Sequence, residues 1–251
     1  MLRFDARDVQ GVIHLQNPYE MLHDYMRLHL LSLLWYPNPE RILIIGLGAG
    51  ILPQIVHYVS PHTIIDIVEI DPVVVDFARK YFGFNMNNTV QLYIADGRRF
   101  VDRQRSNQYD IIIVDVFTVH KRIPHALRTI ECFGEYLRIL KPTGLISANF
   151  LYEQESRYRQ TYATALFKHI YRGITKDNYV LIGLNKDAMI YDRTTLHLRA
   201  SAFQHSKLLP EFDWVAEINN LHHENDDRSG TTAAIFTDQL YEDFFGVSES
   251  N

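Results

Sequence analysis

Short, mostly apolar runs alternate with amphipathic segments along the chain up to Phe150. Runs of this kind are typical of strands that are buried on both faces of a parallel sheet. The segments between them repeat their apolar residues at helical spacing. The predicted strands are Arg41–Gly46, Thr63–Ile70, Val90–Ala95, Tyr109–Val116 and Leu145–Phe150, and the predicted helices between them are Ile51–Val59, Pro72–Phe82, Gly97–Gln104 and Pro124–Leu140.

This alternation predicts an open, doubly wound α/β sheet, because the crossovers between parallel strands are right-handed. In such sheets the functional residues follow the carboxyl ends of the strands, at the point where the strand order reverses. Two last strands are expected to pair antiparallel, which gives a mostly parallel sheet of seven strands. After Phe150 the pattern predicts a helix at about Glu155–Tyr171, a strand at Tyr179–Leu184, a helix at about Thr194–Leu208 and a strand at Thr232–Thr237.

The start of the chain is expected to add little to this sheet. Pro18–Tyr36 has the pattern of one amphipathic helix, and a single short strand, Gly11–Leu15, precedes it. The sequence contains no repeat and no long linker. We therefore expect a reduced N-terminal segment with its helix over residues 1–40 and a single domain over residues 41–251. His222–Gly230 is predicted to be a loop because polar residues dominate it.

Composition and charge exclude several classes of protein. A hydrophobic share of 47% with 22% charged residues is ordinary for a globular chain. The net charge of −5 argues against a nucleic-acid partner. We expect no membrane segment, since no apolar stretch approaches about 18 residues, and a cytoplasmic location, since acids stand near the N-terminus where an export signal would be apolar. Cys132 is the one cysteine, so a disulfide within the chain and a cysteine-based zinc site are excluded, and no metal is predicted.

A glycine-rich turn follows the first predicted strand. Gly46, Gly48 and Gly50 precede a helix, and glycine there lets the backbone approach a ligand at the helix N-terminus. The spacing is shorter than in the dinucleotide fingerprint, so a tight connection without a ligand is the alternative. Glu69 ends the next strand, close to the offset of about 20 residues at which an acid binds ribose hydroxyls. This predicts a nucleoside site, with a solvated carboxylate as the other interpretation of Glu69.

Two further strand ends carry aspartates. Asp96 could accept a hydrogen bond from the exocyclic amine of an adenine while Gly97 permits a close turn, and an N-cap of the next helix is the alternative role. Asp115 ends the fourth strand on the side of the crevice, whereas Asp110 lies at its opposite end. A carboxylate that faces a buried ligand is where a raised pKa, and so a general base, is expected.

The motifs Gly46–Gly50, Val68–Pro72, Ala95–Phe100 and Tyr109–Asp115, the last followed by Ile123-Pro124, are spread over more than half of the chain. Taken together they resemble the polyamine aminopropyltransferase family, of which spermidine synthase is the best-known member. The resemblance implies a class I methyltransferase-like fold. It also implies transfer of the aminopropyl group of decarboxylated S-adenosylmethionine to an amine such as putrescine, without a metal. By this resemblance Glu69 holds the ribose, Asp96 the adenine, and Asp115 deprotonates the amine with Tyr25 nearby.

The sequence departs from the family pattern on the amine side. Ala49 stands where the family usually has an aspartate, Thr118 replaces a second acid, and Met26 and Arg27 follow Tyr25. Three hypotheses follow: a divergent aminopropyltransferase, which we favour; a methyltransferase using S-adenosylmethionine, in which Ala49 removes a charge that would repel the methionine carboxylate; and a nucleoside-binding protein without catalysis. The family implies a homodimer, although the short N-terminal segment weakens that expectation.

Overall fold

The computed structural model describes residues 2–3, 9–11, 21, 23–117, 123–151, 167, 169–176, 178–206, 209, 211–224 and 237–238. Its strands are β1 Leu2–Arg3, β2 Val9–Gly11, β3 Arg41–Ile45, β4 Ile64–Glu69, β5 Val90–Ile94, β6 Tyr109–Val114, β7 Leu140–Leu151, β8 His169–Ile174, β9 Asn178–Leu184 and β10 Leu221–Glu224. Its helices are α1 Asp24–Leu30, α2 Ile51–Val59, α3 Pro72–Phe82, α4 Gly97–Arg103, α5 Ile130–Ile139, α6 Arg193–Ser206 and α7 Trp214–Ile218, with short 3₁₀ turns at Leu31–Leu34 and His125–Leu127.

One sheet holds eight of these strands, in the order β10-β8-β9-β7-β6-β3-β4-β5. The five strands from β7 to β5 run parallel, and β9, β8 and β10 continue the sheet with antiparallel pairings. The chain winds outwards from β3 to β5 and then returns to place β6 on the other side of β3. The strand order therefore reverses between β3 and β6, which is where a ligand crevice is expected in an open sheet.

Helices cover both faces of the sheet, which explains why the central strand β3 is apolar from Ile42 to Ile45. Ile42 and Ile44 belong to one buried cluster, together with residues of α1, α2 and α6. Leu43 and Ile45 belong to a second cluster on the opposite face, with residues of α4 and α5. A strand between two helical layers has no polar face, so the alternation typical of half-exposed strands is absent from it.

Local signals set the helix starts that follow the parallel strands. Asp71 accepts a hydrogen bond from the Val73 N–H at 2.8 Å, and Pro72 occupies the first turn of α3. Thr129 caps α5 through the Cys132 N–H at 3.2 Å. The predicted bounds of α2 and α3 agree with the structure. The expected doubly wound, mostly parallel α/β fold is confirmed.

The antiparallel end of the sheet differs from the prediction. The last residues of the predicted helix Glu155–Tyr171 belong to strand β8, and the start of the predicted loop His222–Gly230 is strand β10. Both segments are strands because β8 pairs with β9 and β10 pairs with β8, and such long-range pairing overrides local composition. The sheet therefore has eight strands instead of seven. Of the predicted strand Thr232–Thr237, only Thr237 is among the described residues.

Three element boundaries also shift. The described part of the predicted helix Pro18–Tyr36 is α1 followed by a 3₁₀ turn, and α5 begins only at Ile130, after the turn His125–Leu127. Strand β2 shares only Gly11 with the predicted strand Gly11–Leu15, whose other residues are not described. The division of the chain at residue 40 stays a proposal. Among the helices that the structure describes, none is long and apolar enough to cross a bilayer.

Candidate active site

A cavity of about 440 Å³ opens at the carboxyl ends of β3, β4, β5 and β6. Its size lies within the range of about 300–1,000 Å³ that is usual for small-molecule sites. The cavity lies at the reversal of strand order, so the sheet itself brings these strand ends together. The predicted site residues that line it are Tyr25, Gly46, Gly48, Glu69, Asp96, Gly97 and Asp115.

The turn after β3 has a conformation that depends on glycine. Gly46 has a φ of 99°, and a β-carbon built on it would lie 2.1 Å from the carbonyl oxygen of Asp115. Gly50 has a φ of 73° at the N-terminus of α2, where a β-carbon would lie 2.9 Å from the side chain of Phe84. Gly50 is the one predicted site residue that does not line the cavity. The glycines thus allow the turn to pack against the end of β6 and against Phe84, which follows α3.

Glu69 joins the glycine-rich turn to the end of β4. One carboxylate oxygen accepts a hydrogen bond from the Leu47 N–H at 3.0 Å, and the other accepts from the Asp71 N–H at 3.0 Å. Glu69 is therefore held by the backbone in addition to being partly solvated, and its contact with a ribose stays a prediction. Because each carboxylate oxygen can accept more than one hydrogen bond, Glu69 keeps acceptor capacity towards the cavity.

Asp96 and Gly97 connect β5 to α4 at the edge of the cavity. Asp96 accepts a hydrogen bond from the Arg99 N–H at 2.8 Å, so its role as the N-cap of α4 is confirmed. A β-carbon on Gly97 would lie 2.9 Å from the side chain of Ile45, which indicates close packing of α4 on the central strand. Asp96 lines the cavity as well as capping the helix, and its contact with an adenine stays a prediction.

Asp115 follows β6 and faces the cavity. It accepts a hydrogen bond from the Asn149 side-chain amide at 3.0 Å and another from the Tyr25 hydroxyl. Burial raises the pKa of Asp115 to about 6, and the two hydrogen bonds lower it in part. Burial and the neighbouring Asp115 carboxylate raise the pKa of Tyr25 well above its usual value, so Tyr25 stays a hydrogen-bond donor at neutral pH.

Two asparagines near Asp115 were not found from the sequence. Asn149 is fully buried on β7, and its side-chain oxygen accepts a hydrogen bond from the Asn178 side-chain amide at 3.0 Å. A signal for Asn149 was present, because Ser147 and Asn149 place two polar residues on one face of the predicted strand Leu145–Phe150, which is otherwise apolar. Asn178 gave no comparable signal, since only the antiparallel pairing of β9 with β7 brings it there.

A buried histidine lies beside Tyr25 on α1. The His29 Nδ1 is 2.8 Å from the Ser147 hydroxyl, and the His29 ring meets the Tyr25 ring edge to face at 6.1 Å between centroids. Burial lowers the pKa of His29 to about 3, so this imidazole is neutral near physiological pH. His29 therefore supplies packing and a hydrogen bond under Tyr25 without adding a positive charge.

The described lining of the cavity is acidic. It contains four carboxylates and no lysine or arginine. A cavity of this charge favours a cationic ligand, because opposite charges attract strongly where water is partly excluded. Ala49, the position where the related family usually has an acid, also lines the cavity and is buried. The four carboxylates are Glu69, Asp71, Asp96 and Asp115.

The remaining candidates lie elsewhere. Asp110 accepts hydrogen bonds from the Glu40 and Arg41 N–H groups at 2.8 and 2.9 Å, at the end of β6 opposite to the cavity, as predicted. Cys132 is buried in the core. Thr118 lies outside the described residues. Among the residues that the structure describes, no cluster of three or more histidine, cysteine or acidic side chains could hold a metal ion.

The sequence matches known proteins over the segments that build this cavity. The family model described as "Spermine/spermidine synthase domain" matches residues 10–182. A polyamine aminopropyltransferase from Vibrio vulnificus is 38% identical over 146 residues, which are 55% of this chain and 48% of that protein. The chain thus spans about half the length of this relative. Putrescine N-methyltransferase 2 from Nicotiana attenuata is 48% identical over 84 residues, which are 32% of this chain and 22% of that protein.

The fold is shared with a solved structure over most of both chains. A probable spermidine synthase from Corynebacterium glutamicum aligns with a TM-score of 0.69 at 21% identity, covering 89% of this chain and 84% of that one. At this identity the likeness concerns the fold alone. It confirms the methyltransferase-like fold class that the sequence motifs implied.

Proposed function

Because the chain belongs to the spermine/spermidine synthase family and is therefore a transferase, we propose that it transfers the aminopropyl group of decarboxylated S-adenosylmethionine to a small amine. The observation that carries the proposal is the position of Asp115, which faces an acidic cavity with Tyr25 donating to it. The sulfonium and the primary ammonium of this cosubstrate, together with a cationic amine, match the charge of that cavity.

In this proposal the nucleoside lies across the strand ends. Glu69 accepts hydrogen bonds from the ribose hydroxyls with its remaining acceptor capacity, and Asp96 accepts from the adenine amine. The backbone of the turn from Gly46 to Gly48 allows close approach of the ligand. The geometry supports this arrangement, since Gly46, Gly48, Glu69 and Asp96 all line one cavity. The contacts of Glu69 with two backbone N–H groups hold its carboxylate in place before any ligand binds.

Asp115 is proposed to act as the general base. An alkylamine with a pKa near 10 is mostly an ammonium at neutral pH, so it must lose a proton before it can attack carbon. Asp115 binds the ammonium and accepts that proton. The nitrogen lone pair then forms a bond to the aminopropyl carbon, the carbon–sulfur bond breaks, and its electron pair neutralises the sulfonium to give methylthioadenosine. A pKa of about 6 makes Asp115 a stronger base than an ordinary carboxylate while leaving it ionised at pH 7 to 8.

Methyl transfer from S-adenosylmethionine to an amine is the second candidate. It is favoured by the match to a putrescine N-methyltransferase and by Ala49, since an apolar residue there would not repel a methionine carboxylate. The acidic lining favours aminopropyl transfer instead, because decarboxylated S-adenosylmethionine lacks that carboxylate. Nucleoside binding without catalysis is the third candidate. We also propose a cytoplasmic location. A homodimer is a further proposal, and light scattering would test it.

The cosubstrate is tested by thermal shift with methylthioadenosine, S-adenosylmethionine and decarboxylated S-adenosylmethionine. A ligand at 100 times its Kd adds about 2.7 kcal/mol to the free energy of unfolding, which raises the Tm by several degrees. The proposal expects the decarboxylated form to bind more tightly than S-adenosylmethionine. The opposite order would favour methyl transfer, and no shift with any of the three would exclude the nucleoside site.

The reaction is tested by chromatography of methylthioadenosine formed from decarboxylated S-adenosylmethionine with putrescine, cadaverine, spermidine or agmatine. Asp115→Asn keeps the shape of the side chain but weakens proton acceptance. We expect turnover to fall by ~10²-fold or more, with little change in nucleoside affinity. If none of these amines yields methylthioadenosine although the nucleoside clearly binds, the aminopropyl proposal is wrong. An Asp115→Asn variant with nearly unchanged turnover would show that Asp115 is structural.

A further inference from the structure

Asp115 is held by a residue from the neighbouring strand that does not line the cavity. The Asn149 amide nitrogen lies 3.0 Å from Asp115 Oδ1, and the Asn149 side chain is fully buried on β7. Strands β6 and β7 are paired in parallel with Val114 beside Ala148, so Asn149 on β7 lies next to Asp115, which directly follows β6. Asn149 therefore contacts the base without belonging to the described surface that would meet a substrate.

The orientation of the Asn149 amide is fixed from its other side. The Asn178 side-chain nitrogen donates a hydrogen bond to Asn149 Oδ1 at 3.0 Å. An asparagine side chain has one acceptor end and one donor end, so a donor at its oxygen turns its nitrogen towards Asp115. The backbone of Asn178 is held in turn by Thr175, whose hydroxyl accepts from the Asn178 N–H at 3.0 Å.

We propose that Asn149 and Asn178 are positioning residues that keep Asp115 ionised and directed into the cavity, so that the antiparallel half of the sheet sets the basicity of the reacting carboxylate. The inference rests on the proposed role of Asp115 as the general base. It assigns a function to the pairing of β9 with β7, a part of the sheet that supplies no described residue to the cavity.

The physical basis is a balance between burial and hydrogen bonding. Burial favours the protonated form of Asp115, whereas a donor to its carboxylate favours the charged form. The other groups that face this site add no positive charge. Tyr25 and the neutral His29 approach from α1, and the carboxylates of Glu69, Asp71 and Asp96 line the same cavity. Two hydrogen-bond donors, Asn149 and Tyr25, therefore oppose the effect of burial.

The test measures the ionisation of Asp115 directly. The side-chain carboxyl carbons of aspartate are labelled with ¹³C and titrated by NMR in the full chain, and the Asp115 signal is assigned from its loss in Asp115→Asn. We expect a midpoint near pH 6 in the wild type. Asn149→Leu removes the donor and should raise the midpoint by about one pH unit, because a donor to the carboxylate favours its charged form.

Asn178→Asp tests the orientation of the Asn149 amide without changing Asn149 itself. It is also the second variant if Asn149→Leu fails to fold. A carboxylate at position 178 only accepts, so the Asn149 nitrogen should turn towards it and leave its oxygen against Asp115. The midpoint should again rise by about one pH unit. Thr175→Asp is the matched control, because it adds the same charge to the same turn and can still accept from the Asn178 N–H. We expect its midpoint to stay within a few tenths of a pH unit of the wild type.

The outcomes separate this inference from the proposed function. An unchanged midpoint in a folded Asn178→Asp variant would overturn it, and so would an equal rise in Thr175→Asp, which would show a general effect of charge. A raised midpoint in Asn178→Asp alone supports the positioning role whether or not methylthioadenosine is formed. Where product is formed, the acid limb of the pH–rate profile should move with the NMR midpoint, and the rate at about pH 6 should fall several-fold while the rate above pH 8 recovers.

Discussion

Gly46 and Asp115 are in backbone contact across the two strands between which the sheet order reverses. The Asp115 N–H donates to the Ile45 carbonyl at 2.9 Å, and a β-carbon on Gly46 would lie 2.1 Å from the Asp115 carbonyl oxygen. No side chain fits at that distance without moving one of the two strand ends. The glycine that begins the turn therefore also fixes the position of the proposed base.

Gly46→Ala should disrupt both the site and the fold locally. The φ of 99° is unfavourable for alanine, and the contact with Asp115 requires a backbone shift. Strain and displacement together should lower the free energy of unfolding by about 3–5 kcal/mol and abolish binding of adenosyl ligands. Urea unfolding and calorimetry would measure the two effects.

Gly83→Ala is the matched control for Gly46→Ala. Gly83 also has a left-handed φ, of 68°, but a β-carbon there would have no atom within 4 Å. Gly83→Ala should lower the free energy of unfolding only by the backbone strain, about 1–2 kcal/mol, and should retain ligand binding. Equal losses in the two variants would show that the contact with Asp115 is unimportant.

Glu69→Gln should weaken the binding of every adenosyl ligand by about tenfold or more. Glutamine has one acceptor oxygen, so it cannot accept from the Leu47 and Asp71 N–H groups with separate oxygens as Glu69 does. The ribose contact serves the ground state and the transition state alike, so KM should rise more than kcat falls. Asp213→Asn, which changes a helix-capping carboxylate outside the cavity lining, should leave the affinity unchanged. A normal affinity in Glu69→Gln would contradict the ribose assignment.

Asp115→Asn should stabilise the protein above pH 6. The pKa of about 6 lies above the ordinary value of 3.8, so the folded protein holds this proton more tightly than the unfolded chain does. The resulting stability is present below about pH 4 and is lost as the pH rises through 6. Asparagine does not titrate, so the stability of the variant relative to the wild type should increase over this range, by at most about 3 kcal/mol. Urea unfolding from pH 4 to pH 7 would show the trend, and a difference independent of pH would contradict it.

The parallel half of the fold could be predicted because its signals are local. Strand β3 is apolar from Ile42 to Ile45, and Asp71 and Asp96 mark the helix starts that follow β4 and β5. The carboxyl ends of parallel strands share one edge, so residues at successive strand ends had to lie close together. This reasoning predicts that Glu69, Asp96 and Asp115 lie close together, and all three line the cavity.

The antiparallel half could not be predicted in the same way. Strands β8 and β10 carry histidine and arginine among apolar residues, and they are strands only because β8 pairs with β9 and β10 pairs with β8. Their composition fits a helix or a loop equally well. Asn178 meets Asn149 through the pairing of β9 with β7, and no spacing within the sequence encodes that contact.

His29→Asn should reduce the sensitivity of the fold to acid. The pKa of His29 is lowered to about 3, so the folded protein binds this proton less tightly than the unfolded chain does. Stability from His29 is therefore complete above about pH 6.5 and is lost as the pH falls, by up to about 1.4 kcal/mol per pH unit. Asparagine can keep a hydrogen bond to Ser147 but does not titrate. Because the asparagine side chain is smaller, the variant should have a free energy of unfolding about 1–2 kcal/mol lower than the wild type at pH 7.5.

Between pH 6.5 and pH 5, the free energy of unfolding of the wild type should fall by up to about 2 kcal/mol more than that of His29→Asn. Urea unfolding would measure both values. The contribution of Asp115 runs in the opposite direction over this range but is common to both proteins, so it cancels in the difference. His222→Asn is the control, because His222 is exposed on β10 and its replacement should leave the acid profile of the wild type unchanged. Parallel profiles of His29→Asn and the wild type would mean that His29 becomes protonated without opening the packing beneath Tyr25.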